Sequence, residues 1–238
     1  MRQEHPLEFS GPSDSLELFE RIARCYDAMN RVLSLGRDRH WRSLAADALQ
    51  LPPGGSVLDV GTGTGDMALA VTRRWADAVV VVGLDPTAPM VDVARQKREG
   101  DPTCWTRADG LRLPFPDASF DGVISAFLLR NVVDVPGALI EQHRLVRLGG
   151  RVVCLELSWP QTPVFRPLFR VYFADVLPRI AGLLSGQPAA YRYLPRSVQR
   201  FLTPGELTAT MEGVGLRNVH CRRLALGSVT LHVGERAT

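Results

Sequence analysis

At residues 127–134 the sequence reads FLLRNVVD, where an apolar run, Phe127-Leu128-Leu129, meets Arg130 and Asn131 side by side. A guanidinium is permanently charged, and burying it unpaired costs roughly several kcal/mol. A cation and an amide at the end of a core strand therefore need a reason. Two readings are open from the residues alone. Arg130 can form a structural ion pair with Asp134 or Asp121, or it can aim its fork of donors at a negative charge developing on a bound molecule.

A second constellation precedes it. VLDVGTGTGD, residues 57–66, joins an apolar strand to a helix through Gly61, Gly63 and Gly65, which allow a tight turn and close approach of a ligand. A Walker loop would need Gly-Lys-Ser/Thr, which is absent, and a dinucleotide G-x-G-x-x-G would need glycine where Asp66 stands. A G-x-G-x-G loop preceded by the acid Asp59 is the arrangement used for S-adenosyl-L-methionine (SAM), whose ammonium the acid can meet; Thr64 belongs to the same loop. Asp85 ends the second strand, about 20 residues on, placed for ribose hydroxyls. Asp109, followed by Gly110, closes the third strand, where it can take the adenine amino group. Each acid alone could merely cap a turn. Three acids at successive strand ends, where ligands of such sheets bind, point to the cofactor.

Alternating elements must carry these residues. Residues 14–35 read as one amphipathic helix, with Phe19, Ile22, Ala23, Tyr26 and Leu33 on one face, and 38–49 as a second. Strands follow at 56–60, 78–85, 104–109, 120–127 and 151–157, the last after a Gly149-Gly150 turn. Helices intervene at 66–75, 89–98 and 135–146. Helix 204–212 and strands near 217–223 and 228–233, the last pair antiparallel, complete a doubly wound, mostly parallel, seven-stranded sheet of the Rossmann-like α/β class. The expected organisation is one structural unit: N-terminal helices (1–50) as a lid, and a class I SAM-dependent methyltransferase domain (51–238) with a helical insertion at about 160–200.

Composition narrows the function. In 238 residues, 45% hydrophobic content supports a sizeable core, and 27 of the 28 basic residues are arginine, Lys97 being the exception. Net charge is only +3 and no basic block resembles a nucleic-acid arm, so no nucleic-acid partner is expected. Cys25, Cys104, Cys154 and Cys221 form no C-x-x-C pair and have no histidine at ligand spacing, which argues against a metal site or a disulfide framework. The opening MRQEHPLEFS lacks an apolar signal core, and no run reaches about 18 uninterrupted apolar residues. These features predict a cytoplasmic protein.

Seven stretches occur in a telling order: FERIARCYDAMNRVLSLG, VLDVGTGTGD, LPFPDASFD, LLRNVVD, LELSWP, YRYLPRSV and LHVG. Over roughly residues 18–234 the chain resembles the C-methyltransferase family of menaquinone and ubiquinone biosynthesis, most of all its demethylmenaquinone methyltransferases. The departure is at Ala126-Phe127-Leu128-Leu129-Arg130-Asn131, where the family usually reads Ser-Phe-Gly-Leu-Arg-Asn. Leucine for glycine narrows the space beside the methyl donor. Ala126 keeps the position of a cofactor contact without the serine hydroxyl.

The resemblance implies methylation of a ring carbon of a reduced prenylated quinone. Such a carbon is a poor nucleophile until a neighbouring hydroxyl, with a pKa of about 10, is ionised. Arg130 would stabilise that oxyanion and Asn131 orient it or the methyl donor. Glu156, at the end of the fifth strand, is expected to face the same crevice as Arg130 and is a candidate proton acceptor, and Tyr26, with Asp27 and Asn30, lies on the closing helix. Tyr191 and Tyr193 are pocket walls or packing. His232 reads as a core histidine and His40 as helix surface.

Phe165, Leu168, Phe169, Tyr172, Phe173, Leu177, Ile180, Leu183 and Leu184 load the insertion, with Arg166, Arg170 and Arg179 among them. It reads as a small helical cap or homodimer face, or as a channel for a prenyl tail opening at a peripheral membrane contact that the arginines favour. Phe169 and Tyr172 are the expected pocket contributors. An O- or N-methyltransferase of a soluble metabolite would share the cofactor site without needing this apolar segment, and a non-catalytic SAM-binding module would bind without turnover.

Overall fold

A computed structural model of the chain describes residues 15–75, 79–97, 103–161, 165–172 and 188–237. The elements, in chain order, are α1 (Ser15–Ile22), α2 (Tyr26–Leu33), α3 (Asp38–Ala48), β1 (Ser56–Val60), α4 (Asp66–Trp75), β2 (Val80–Leu84), α5 (Ala88–Lys97), β3 (Cys104–Thr106) and β4 (Phe120–Ala126). A short 3-10 turn (Leu129–Asn131) leads to α6 (Val135–Leu145) and β5 (Val146–Leu157). Then come α7 (Phe165–Val171), α8 (Pro188–Arg200), α9 (Pro204–Gly213), β6 (Leu216–Leu224) and β7 (Val229–Arg236).

The seven strands form one sheet in the order β3-β2-β1-β4-β5-β7-β6. The first five are parallel, and β7 runs antiparallel to β6, as expected, and also to β5. Continuous apolar strands such as SVLDV and GVISA suit a sheet covered on both faces. One face packs Leu49, Val57, Met67, Val71, Ile124 and Val153, and the other Leu58, Leu84, Val123, Leu139, Val152 and Met211.

Three boundaries differ from expectation. The single helix over 14–35 is two helices, because the chain turns at Ala23–Cys25 and the Cys25 N–H donates to the Ile22 carbonyl at 3.0 Å. The turn lets Leu18, Ile22 and Met29 all enter one cluster with Met90, Tyr193 and Val198, so tertiary packing overrides the periodicity. Gly149-Gly150 is not a turn before β5 but an irregularity inside it. Phe120 pairs Val146, and Gly122 already pairs Arg151. β3 stops at Thr106, so Asp109 sits beyond the strand in an isolated bridge with Arg112.

Of the insertion, Phe173, Leu177, Arg179, Ile180, Leu183 and Leu184 lie outside the described residues, as do the side chains of Leu168 and Tyr191. Among the described residues no helix is long and apolar enough to cross a membrane, and no group of three or more His, Cys, Asp or Glu could hold a metal.

Candidate active site

The carboxyl ends of β1, β2 and β4 open onto a cleft of about 260 Å³. Gly61, Gly63, Asp85, Asp109, Gly110 and Ala126 line it, with Asn131 at one side and Phe19 and Tyr26 from the N-terminal helices. Gly61 and Gly63 have φ of +67° and +55°, in the left-handed region. A side chain at Gly61 would strike Leu128 at 2.5 Å, whereas one at Gly63 would meet only open space. That leaves open space in which a ligand can approach the backbone.

Asp59 lies buried beneath the loop. Its Oδ2 accepts from the Thr62 hydroxyl (2.6 Å) and the Ala68 N–H (3.0 Å), while Oδ1 has no partner among the described residues. Burial pushes this carboxyl up to about 7, although Thr62 and the nearby Arg42 pull against that rise. Asp85 accepts from the Gly63 N–H (2.9 Å) through Oδ2 and from the Thr87 N–H (2.9 Å) through Oδ1, and burial raises its pKa too. Two carboxylate oxygens offer about four acceptor directions, so capacity remains for a diol. Asp109 accepts from the Leu111 N–H at 3.0 Å. Asp85 and Asp109 thus both cap turns and line the cleft; the two readings are compatible.

Two loop residues turn away from it. The Thr64 hydroxyl donates to Asp27 Oδ1 of α2 at 2.5 Å. Gly65 packs under the Trp105 ring, which would meet an added Cβ at 2.7 Å. Asp27 also pairs with Lys97, which in turn reaches Asp66 at 2.8 Å. The chain's one lysine therefore ties α2 to α4 and α5.

A second cavity, of about 360 Å³, lies against the first. Its wall is mostly apolar: Leu18, Ile22, Met29, Leu33, Leu157, Phe169, Tyr172, Tyr193 and Leu194. Phe19, Tyr26 and Phe127 line both cavities and so stand where they adjoin. Phe127 adopts φ of +60°, rare for a bulky residue. Its carbonyl accepts from Arg130 Nη1 (2.6 Å) and Asn131 Nδ2 (3.0 Å), and its ring lies 5.2 Å from the Arg42 guanidinium and 5.8 Å from that of Arg130.

Arg130 lines the apolar cavity, and neither Asp134 nor Asp121 is its partner. Asp134 caps α6 by accepting from the Gly137 N–H, and Asp121 holds Arg147 and Ser56. Arg130 Nη1 instead reaches Glu156 Oε2 at 3.2 Å, with 5% and 0% of the two side chains exposed. Glu156 Oε1 accepts from the Leu129 N–H at 2.6 Å. Burial raises the Glu156 pKa and Arg130 opposes the rise. The expectation that Glu156 faces the crevice is therefore corrected. Both its oxygens are engaged behind Arg130, whose Nε–H is buried with no partner among the described residues. Asn131 Oδ1 accepts from the Tyr193 hydroxyl at 3.1 Å, tying α8 to the 3-10 turn.

His232 is buried with Nε2 at 3.0 Å from the Pro204 carbonyl, a core residue as expected, and His40 is exposed on α3. Phe127 and Arg42 carry no signal in the sequence that separates them from ordinary core and surface residues.

A profile of the ubiE/COQ5 methyltransferase family matches residues 12–236. The chain is 46% identical over 223 residues to a demethylmenaquinone methyltransferase of Deinococcus radiodurans, covering 92% of this chain and 91% of that protein. It is 42% identical over 224 residues to a ubiquinone/menaquinone biosynthesis C-methyltransferase, UbiE, of Geotalea daltonii, covering 92% and 95%. Its fold is similar to SAM-dependent methyltransferases of Thermotoga maritima (TM-score 0.65, 17% identity, 93% and 99% of the two chains) and Aquifex aeolicus (0.63, 15%, 89% and 98%). The open face of Gly63, the unpaired buried oxygen of Asp59 and the acids at the strand ends fit SAM, and the chain belongs to the ubiE/COQ5 family of SAM-dependent methyltransferases.

Proposed function

We propose that this enzyme methylates a ring carbon of a reduced, prenylated quinone, converting demethylmenaquinol to menaquinol. The observation that carries the reading is the buried Arg130, which lines an apolar cavity adjoining the cofactor cleft and whose Nε–H has no partner among the described residues. Bound SAM supplies an electrophilic methyl group. Asp59, Gly61, Gly63, Asp85, Asp109, Gly110 and Ala126 are the residues that would hold it.

The chain's own residues do the rest. The Arg130 guanidinium favours the quinol hydroxyl in its ionised form, its proton having passed to solvent. The phenolate pushes electron density onto the neighbouring ring carbon, which takes the methyl group and then gives up its own ring proton to solvent. Glu156 holds that guanidinium in place, and the carbonyl of Phe127 fixes both Arg130 and Asn131. Tyr26 and Phe19 close over both cavities, exclude water and make the N-terminal helices a lid. Tyr193 and Phe169 wall the apolar side.

An apolar lining favours a prenylated quinol over a soluble O- or N-methyl acceptor, which needs no such wall. The cavity is near the small end of ligand pockets, so it suits a ring with the start of its tail. The remaining tail implies reversible contact with a membrane surface, which we propose for the working enzyme.

Purified enzyme with demethylmenaquinol, SAM and a reductant should form a new carbon–methyl bond and S-adenosylhomocysteine. Without reductant the ring carries carbonyls in place of the ionisable hydroxyls, and turnover should fall to background. Equal rates for the two oxidation states, or methylation on oxygen, would refute the proposal. A methoxylated prenyl-benzoquinol in the same assay tests the ubiquinone-pathway substrate, since one relative's name includes both quinones.

A further inference from the structure

Two leucines occupy positions that stability alone does not explain. Leu35, in the turn between α2 and α3, is 86% exposed and has φ of +53°. Leu226, in the turn between β6 and β7, is 66% exposed and has φ of +58°. The left-handed conformation is unfavourable for a residue with a branched side chain, and glycine or asparagine would relieve it. Neither leucine gains burial in exchange. Such an outlier is a pointer to function.

The two turns meet at one place. Leu35 and Ala225, the residue before Leu226, line the apolar cavity beside Arg130 and also a shallower depression next to it, with Arg37, His40 and Trp41. The cavity of the proposed substrate thus has a rim that carries exposed leucines. Arg37 and His40 line that depression and are exposed, and Arg222 and Arg223, also exposed, lie at the end of β6 four and three residues before Leu226. The one acid among residues 34–40 and 222–228 is Asp38, which is buried and accepts from Ser34 Oγ at 2.8 Å.

We propose that the Leu35/Leu226 rim docks on an anionic lipid bilayer, with the leucines inserted at the acyl boundary and the arginines among the headgroups. The proposal deepens the quinol reading and rests on it for its purpose: a prenyl tail held in the bilayer would leave the ring free to enter the cavity through the rim. Exposed apolar residues flanked by cations are the chemistry of interfacial binding. A bilayer also rewards side chains that water does not, which accounts for leucine at two left-handed turn positions.

The test needs neither quinol nor SAM. The protein should float with vesicles of phosphatidylcholine mixed with phosphatidylglycerol, and less well in high salt. Leu35→Asn with Leu226→Asn should lower the partition coefficient roughly tenfold or more. The melting temperature should hold or rise, because asparagine accepts positive φ. Arg222→Gln with Arg223→Gln should weaken binding to the anionic vesicles and flatten the salt dependence. Failure of the wild type to float would overturn the proposal. So would unchanged flotation of the double asparagine variant, including the case where Arg166→Gln with Arg170→Gln on α7 abolishes it instead. A fall in oligomer size on sedimentation with flotation unchanged would make the rim a contact between copies and refute lipid docking. Flotation that depends on the leucines, in a protein that fails to methylate demethylmenaquinol, would sustain the rim and reject only the substrate.

Discussion

Arg130 Nη1 and Glu156 Oε2 form an ion pair across the carboxyl ends of β4 and β5 at 3.2 Å, buried on both sides. The pair answers the puzzle of an arginine following a core strand, because the cation is neutralised from behind and its other donors remain free. Removing one partner of a buried pair costs roughly 3–5 kcal/mol, since the remaining charge is stranded. Glu156→Gln should therefore lower both stability and turnover. Arg130→Met combined with Glu156→Gln should recover part of the stability but none of the turnover. Arg130→Lys should reduce turnover by about a hundredfold or more with SAM affinity nearly unchanged, because a point charge does not reproduce the fork. Thermal melts, calorimetry and steady-state rates on the four proteins separate support from catalysis. Normal turnover per folded Arg130→Lys molecule would make the arginine purely structural.

Asp59 gives a pH signature of unusual sign. Its carboxyl titrates at about 7 in the fold against 3.8 for the free group, so the native state binds more protons than the unfolded chain between those values. Stability of the ligand-free protein should therefore fall as pH rises from about 4 to 7 and level off above. Asp59→Asn should melt like the wild type near pH 4 and be more stable, by a few kcal/mol, roughly, near pH 8. The ammonium of SAM would favour the ionised form, so affinity should rise through the same window with release of a proton. Calorimetry in buffers of different ionisation heat measures that release. A pH-independent affinity would remove Asp59 from the ammonium site.

Asp27 tests the hold on α2. Its carboxylate accepts from the buried Thr64 hydroxyl and pairs with Lys97, with about a quarter of the Asp27 and Lys97 side chains exposed. Asp27→Ala should cost no more than about 1 kcal/mol in global stability. Protection of the α2 amides in hydrogen exchange should drop, and the KM for SAM should rise several-fold, because Tyr26 is carried on that helix. Unaltered exchange in α2 would show that packing alone holds it.

Neighbouring glycines should behave differently. Gly61→Ala adds a methyl group where Leu128 Cδ1 already stands, on a left-handed backbone, and should destabilise the fold. Leu128→Ala in the same chain should restore part of the loss. Gly63→Ala meets no atom within 4 Å, so its stability cost is the backbone term alone, roughly 1 kcal/mol. Its SAM affinity should nevertheless fall sharply. Thermal melts and calorimetric titrations read the two effects apart.

The strands, their mostly parallel pairing and the acids near the ends of the first three were legible in the sequence because they rest on local pattern: short apolar runs, a glycine loop and an acid at or just past the strand. Residues whose roles depend on distant partners were not. Glu156 read as a base facing the crevice, and only the packing of the Leu129–Asn131 turn over β5 puts it behind Arg130. The break at Ala23–Cys25 is invisible in a periodicity that both helices continue, and it follows from the shared contacts of Leu18 and Met29 with Met90 and Tyr193. Gly149-Gly150 had the composition of a turn, yet the sheet absorbs it as an irregularity in β5. Thr64 looked like a cofactor contact by its place in the loop, and its hydroxyl is claimed by α2.

Lys97 is the one side-chain amine in a chain of 28 basic residues, and it sits between Asp27 and Asp66 with 23% of its side chain exposed. Amine-directed reagents consequently have one internal target, positioned where the N-terminal helices meet the body of the enzyme. A fluorophore ester would label that position without mutagenesis. Lysine-specific endoproteinase has the single internal bond Lys97–Arg98 to cut. While the two carboxylates hold the ammonium, acylation and cleavage are slowed, and each release of α2 unmasks the amine. The rate of modification then becomes a clock for opening of the cofactor cleft.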